Sequence, residues 1–371
     1  MAVDPTVLET LRCPAAKVPL VVMTGTEVDR LNEAIAQGRA AHPGGAPVTE
    51  PLTAGLAAAD GSSAYRVDRG VPILLPETRI VSSSPGPRPA AVGAAADAVE
   101  ATWDGWARAW HLVVPPARPA PEDVATFERI VKERCPAPAG RPTRALLLGV
   151  TPEIATMRWP EATRLLALDL SEAMIRHVWP RDGARNATVA RANWREMPLR
   201  DATYDVVIGD GITVFQSFPD QVRSLASEVG RVLSRSGAWV MRLFAKPRAD
   251  DALGNVVDDL RRGRIANSMA LHFRVAMSLQ PDARTGVRCG DIWEAWHASV
   301  PDERELFTSL GWPPETIGTF ETYRGSDVRL VYPKVDELSD ALADAFVLAD
   351  CRGPAEDRLG MYPTVVFRPR R

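Results

Sequence analysis

Cysteine is scarce. The 371-residue chain has four, Cys13, Cys135, Cys289 and Cys351, and no two of them form a CxxC pair. That spacing excludes a disulfide scaffold or a cysteine-rich metal centre and fits a reducing compartment. Lysine is as rare, at Lys17, Lys132, Lys246 and Lys334, so 44 − 4 leaves 40 arginines among the 44 basic residues. The arginines are scattered and accompany 32 prolines, which reads as GC-rich coding rather than selection for a bidentate anion grip. There is also no excess of basic charge. Asp plus Glu total 47 and the formal net charge is −3, which argues against a nucleic-acid partner gripped through its backbone. No charged-then-apolar leader opens the chain and no 18-residue apolar run occurs, so a cytoplasmic protein with no membrane partner is expected.

What is present is enough for a folded body. A hydrophobic fraction of 46% excludes wholesale disorder, and the length suits two domains or one enlarged domain. Residues 1–80 read as a small α+β unit: a short helix in Pro5–Arg12, a strand in Val18–Met23, mostly loop over 36–62, then a strand pair over Tyr65–Pro76 hinged at Gly70. Residues 81–92, rich in Ser, Pro and Gly, read as a linker. A helix is expected from about Gly93 to His111, with Trp103, Trp106 and Trp110 as a packing stripe. Pro121–Arg134 predicts a second helix, with Pro and two acids at its start.

From residue 144 short apolar strands alternate with amphipathic stretches. The strands are Ala145–Gly149, Leu165–Leu170, Ala187–Arg191, Tyr204–Gly209 and Ala238–Phe244, followed by a hairpin of Ala345–Asp350 and Pro363–Arg368. Five parallel strands and a terminal hairpin make a seven-stranded α/β sheet of Rossmann-like type. Asp169 lies twenty residues after Gly149, the separation at which an acid after the second strand can accept from ribose hydroxyls.

The runs "ALLLGVTPE", "LALDLSEAMI", "ANWREMPLRDATYDVVIGDG" and "EVGRVLSRSGAWVMRLF" over residues 144–245 resemble the core of class I S-adenosylmethionine-dependent methyltransferases. The resemblance implies S-adenosyl-L-methionine as cofactor. It implies that Gly149, Val150 and Thr151 line its methionine part and that Asp169 holds the ribose, with Leu170 beside the adenine. Asn193 would bond the adenine amino group, Trp194 would flank its ring, and Asp210 and Gly211 would close the site near the sulfonium. The family's acid-x-Gly-x-Gly-x-Gly pattern is degenerate here: Leu147 stands for the acid, and Thr151 and Glu153 stand for the later glycines.

The N-terminal runs "LETLRCPAAKVPL" and "AYRVDRGVPILLPE" resemble the small zinc-ribbon-like domain that activates several RNA and protein methyltransferases. Relatives often bind zinc through CPxC and a second cysteine pair. Ala16 replaces the second cysteine here and residues 55–66 contain none, so no metal is expected.

Residues 93–371 therefore read as the methyltransferase domain, with an insertion at about 246–343 that forms a lid or substrate wall. His272 and His297, in helical stretches of that insertion, are the candidate general bases. The expected activity is methyl transfer to a small-molecule acceptor, in secondary metabolism, with room for a homodimer. RNA or protein methylation, a non-catalytic scaffold role, and a different sulfonium-dependent reaction stay open as alternatives.

Overall fold

The computed structural model describes residues 3–82, 102–135, 140–181, 183–184, 186–249, 251–353, 357 and 359–370. The expected linker lies outside these residues apart from Val81 and Ser82, and so does the expected helix before residue 102.

The N-terminal unit begins with α1 (Pro5–Leu8), N-capped by Asp4, and β1 (Leu20–Val22). Helix α2 (Gly25–Ala36) follows, and the strand-and-loop expectation missed it. Thr24 and Glu27 close a reciprocal capping box at its start, with Thr24 N–H donating to Glu27 Oε2 at 2.7 Å. The stretch expected as loop holds β2 (Ala40–Ala41) and β3 (Gly55–Ala58). Then come β4 (Ala64–Asp68) and β5 (Val71–Pro72), antiparallel across a turn at Arg69–Gly70, and β6 (Val81–Ser82), which pairs with β2. Strands β1, β3, β4 and β5 form one sheet in that order.

Residues 102–108 are helical (α3), and α4 spans Pro121–Arg134 as expected. Beyond them lies the main sheet. Its strands are β7 (Arg144–Leu148), β8 (Arg164–Asp169), β9 (Ala187–Arg191), β10 (Tyr204–Asp210) and β11 (Leu233–Arg242), separated by α5 (Pro152–Ala155), α6 (Glu172–His177) and α7 (Asp220–Val232). The insertion contributes α8 (Leu253–Arg261), α9 (Ser268–Leu279), β12 (Val287–Arg288), α10 (Cys289–Ser299), α11 (Glu303–Ser309), β13 (Arg329–Leu330) and α12 (Val335–Leu342). The terminal hairpin is β14 (Phe346–Arg352) and β15 (Thr364–Pro369). The strand order is β14-β15-β11-β10-β7-β8-β9, with β15 antiparallel to β11 and the five strands β7–β11 parallel. The expected seven-stranded α/β architecture is the observed one.

The parallel strands are apolar on both faces because both faces are covered. Leu146, Leu148, Leu166, Leu168, Val207, Trp239 and Met241 enter one core, shared with α7, α12 and the N-terminal unit. The residues alternating with them, Ala145, Leu147, Leu165, Ala167, Val206, Ile208 and Val240, enter the opposite core, which includes Phe127, Ile130 and Val131 of α4. A third core lies within the insertion, around Trp296, Phe307 and Phe320, and reaches the sheet at Val214 and Phe244.

The N-terminal unit is tied to the main sheet through its backbone. Arg12 N–H donates to Pro198 O and Arg200 N–H to Thr10 O, both at 2.8 Å. Ile73 forms a parallel bridge to Arg191 of β9, and Leu74 N–H donates to Arg191 O at 2.8 Å. Its one cysteine of the expected CPxC site, Cys13, is buried with Sγ 3.2 Å from Tyr65 Oη.

Candidate cofactor site

The chain runs outward from β7 through β8 to β9, then returns to lay β10 on the other side of β7. Such a reversal opens a crevice beyond the carboxyl ends of the two strands flanking it. Gly149 leaves β7 on one side of that crevice, and Asp210 ends β10 on the other.

Gly149 has φ +101°, and a Cβ placed there would meet nothing nearer than Trp194 Cζ2 at 3.9 Å and Thr151 Oγ1 at 4.0 Å. The turn is thus both restricted to glycine and open to close approach. Val150 is buried in the core, so only its backbone can border a ligand. Asp169 ends β8 with Oδ1 accepting from Ser171 N–H at 2.8 Å. Burial pushes its carboxyl up to about 7, against the opposing effect of the Ser171 and Leu170 N–H groups and Arg191. Leu170, just beyond the end of β8, is 42% exposed, unlike the buried leucines within the strand.

Asn193 caps the short turn Trp194–Glu196, with Oδ1 accepting from Arg195 N–H at 3.0 Å. The Trp194 indole N–H donates to Leu168 O at 2.7 Å, and the same carbonyl accepts from Gly149 N–H at 2.8 Å. The ring therefore joins the ends of β7 and β8 and stands over Gly149.

Asp210, expected to close the site near the sulfonium, has both its oxygens engaged by Arg242, from Nε at 2.7 Å and Nη2 at 3.0 Å. Arg242 also donates to Asp123 Oδ2 at 3.2 Å and to Pro116 O at 2.9 Å. Burial raises the Asp210 pKa, Arg242 opposes that, and Asp123 and Glu153 add to it. Gly211 has φ +60°, and a Cβ there would lie 2.6 Å from Phe244, so no other residue fits.

A strap formed by residues 102–120 contacts elements that follow both β7 and β10. Trp103 packs on Phe215 with ring centroids 5.0 Å apart, Pro115 O accepts from Asn267 Nδ2 at 2.9 Å, and Arg118 pairs with Glu153. Sequence reasoning missed Arg118, Asp123 and Arg242 as part of this site. A signal for the last existed: Arg242 interrupts the apolar run 238–245 at the strand end where Asp210 also stands.

The two histidines expected as bases are engaged by neighbours within the insertion. His272 is 4% exposed in the insertion core, stacked on Phe320 at 3.8 Å. Its Nε2 lies 2.9 Å from Thr319 Oγ1 and its Nδ1 3.3 Å from Tyr323 Oη. Desolvation pushes its pKa down to about 3, so it stays neutral with both nitrogens occupied. His297 is held by Trp293 O at 2.9 Å and by Glu321 Oε1 at 3.1 Å. Neither is brought to the crevice by any of these partners.

Residues 147–241 match the sequence model of a family described as a methyltransferase domain, and this span runs from β7 through β11. Over this span the chain is similar to a methyltransferase domain. No curated protein matches it in sequence. Among solved structures, the CcbJ methyltransferase of Streptomyces caelestis is 14% identical, with 73% of this chain and 98% of that chain covered at a TM-score of 0.44. The DhpI–SAM–HEP complex is 13% identical over 76% of this chain and all, 100%, of that one, at a TM-score of 0.43. A complex of the Haloferax volcanii Trm112 methyltransferase activator with a methyltransferase is 11% identical, covering 72% and 98%, at a TM-score of 0.39.

The crevice suits a polar, partly charged ligand. Around the crevice and the strap, buried polar atoms without a hydrogen-bond partner include Glu153 Oε2, Thr213 Oγ1, Gln216 Oε1 and Trp110 Nε1. Such groups are uncommon in native interiors unless something arrives to satisfy them. No helix among the described residues is long and apolar enough to cross a membrane.

Proposed function

We propose that this enzyme methylates a small-molecule acceptor of secondary metabolism. The observation that supports this reading is the contact between the strap and the insertion, where Asn267 Nδ2 donates to Pro115 O at 2.9 Å, so that both elements can wall the acceptor side. A folded RNA or protein presents its target from a large body, whereas a small acceptor fits within walls. The near-neutral net charge of −3 agrees, since it offers no broad field for nucleic acid.

S-adenosylmethionine, when bound, supplies an electrophilic methyl group on its sulfonium. The residues of this chain bind, orient and exclude water. Gly149 and Thr151 would border the methionine part, Asp169 would accept from the ribose hydroxyls, and Leu170 and Trp194 would bracket the adenine with Asn193 at its edge. Asp210, held by Arg242, would border the sulfonium as part of an ion pair, while Gly211 allows the chain to turn past it. With His272 and His297 engaged elsewhere, no base is assigned. Proximity and desolvation in the crevice would then supply most of the acceleration.

Residues 1–80 would form a structural domain that supports the β9 side of the methyltransferase domain, residues 93–371, without metal. A homodimer is compatible with this arrangement.

The test uses cofactor labelled in its methyl group and the full chain, offered small-molecule extracts, total RNA and total protein in parallel. Label recovered below about 1 kDa supports the proposal. Label in the RNA or protein fraction overturns it in favour of macromolecular methylation.

A further inference from the structure

Glu153 occupies the place of the third glycine in the family pattern. The acid of that pattern is Leu147, fully buried in the core and unable to serve a ligand. Glu153 lies in the first turn of α5, just beyond the Gly149 turn. One carboxylate oxygen, Oε1, is paired with Arg118, while Oε2 is buried and has no hydrogen-bond partner. Leaving a charged acceptor in that state is costly, because it has lost water and gained nothing.

A second unsatisfied group borders the same guanidinium. Arg118 stacks over the Trp110 ring at 5.5 Å, and the Trp110 indole N–H is also buried without a partner. Around one arginine the structure therefore collects a spare anionic acceptor and a spare donor. Arg118 Nη1 adds donor capacity, its contact with Val113 O being long at 3.5 Å. The complement of this set is a zwitterion: an ammonium that donates and a carboxylate that accepts.

We propose that Glu153 Oε2 binds the α-ammonium of the cofactor's methionine moiety, and that Arg118 and Trp110 Nε1 receive its carboxylate. The assignment rests on the crevice being the S-adenosylmethionine site, and it deepens that reading. In effect the negative charge missing at Leu147 has moved six residues along the chain, from the strand to the helix that follows it. The sulfonium offers no N–H, so it cannot satisfy Oε2, whereas the ammonium can.

Calorimetric titration of the full chain with S-adenosylmethionine, S-adenosylhomocysteine and 5′-methylthioadenosine tests this. The first two carry the amino-acid zwitterion; the third keeps the adenosine and the sulfur but lacks it. Glu153→Gln is expected to weaken the first two alike by tenfold or more and to leave the third unchanged. Trp110→Phe should follow the same pattern with a smaller loss, and it reads the carboxylate half independently should Glu153→Gln fail to fold. Equal weakening of all three ligands, unchanged affinities, or a larger loss for S-adenosylmethionine than for S-adenosylhomocysteine would each overturn the assignment. Wild-type protein that binds none of the three would instead sink the cofactor-site reading itself.

Discussion

Asp210 and Arg242 are direct partners in the parallel register of β10 and β11, and Arg242, its side chain 1% exposed, donates two hydrogen bonds to Asp210, 2.7 and 3.0 Å long. Two strands thus end in opposite charges at the point where the crevice opens. Asp123, from the first turn of α4, joins them, so the strap, the helix and the sheet meet on one guanidinium.

Removing that guanidinium leaves two buried carboxylates without a counter-charge. Arg242→Ala should lose about 3–5 kcal/mol of folding stability, the usual consequence of breaking one side of a buried ion pair. Urea unfolding of the variant against wild type measures it. A loss below about 1 kcal/mol would show the cluster to be solvated.

Cofactor affinity should depend on pH through Asp169. Its carboxyl is raised to about 7 in the free protein. Only the ionised form accepts from two ribose hydroxyls. Affinity should therefore fall as pH drops through 7, by up to roughly tenfold per unit below it. Asp169→Asn should bind more weakly at pH 8 and lack this dependence between pH 6 and 8, as titration calorimetry would register.

The buried imidazole of His272 predicts a particular acid sensitivity. Its folded pKa, about 3, lies below its unfolded value of 6.5, so the unfolded chain binds the extra proton first. The associated stability is complete above pH 6.5 and declines as pH falls toward 3. Between pH 7.5 and 5 wild type should lose about 2 kcal/mol more than His272→Gln, at roughly 1.4 kcal/mol per pH unit below 6.5. Parallel slopes for the two proteins would contradict the neutral, desolvated state.

Leu11 is fully buried where the N-terminal unit meets the main sheet, in the core that also holds Leu146 and Val207. Leu11→Ala should cost about 2–5 kcal/mol, as core truncations of leucine do. Because that core is continuous, the loss should shift the unfolding of the sheet itself. A calorimetric scan in which a minor early transition moves alone would mean that the two units melt independently.

The main sheet was legible because its strands are apolar on both faces and keep their spacing; Ala187–Arg191 has the same limits in sequence and structure. The start of β11 was less so, since Leu233–Gly237 includes two serines and a glycine and reads as a turn. Helix α2 went unread although Thr24 and Glu27 carry its capping signal, because its apolar positions are few. What the residues could not disclose was partnership at a distance. Thr10 Oγ1 meets Tyr204 Oη at 3.0 Å, 194 positions away, and nothing local marks either hydroxyl for the other. In the candidate site the backbone-defined positions, Gly149 and Gly211, stand in the motifs themselves, and both have positive φ. The ionic ones, Arg118 with Glu153 and Arg242 with Asp210, depend on which elements the fold lays side by side.

The bridge from Ile73 to Arg191 has a consequence for assembly. β9 is the last strand on its side of the main sheet, and an end strand offers unpaired amide and carbonyl groups to any passing chain. Here a segment of the same polypeptide takes up part of that offer. Because the tether makes the encounter intramolecular, the coverage does not weaken on dilution as a two-chain contact would. The chain thus guards part of that edge itself, at any concentration.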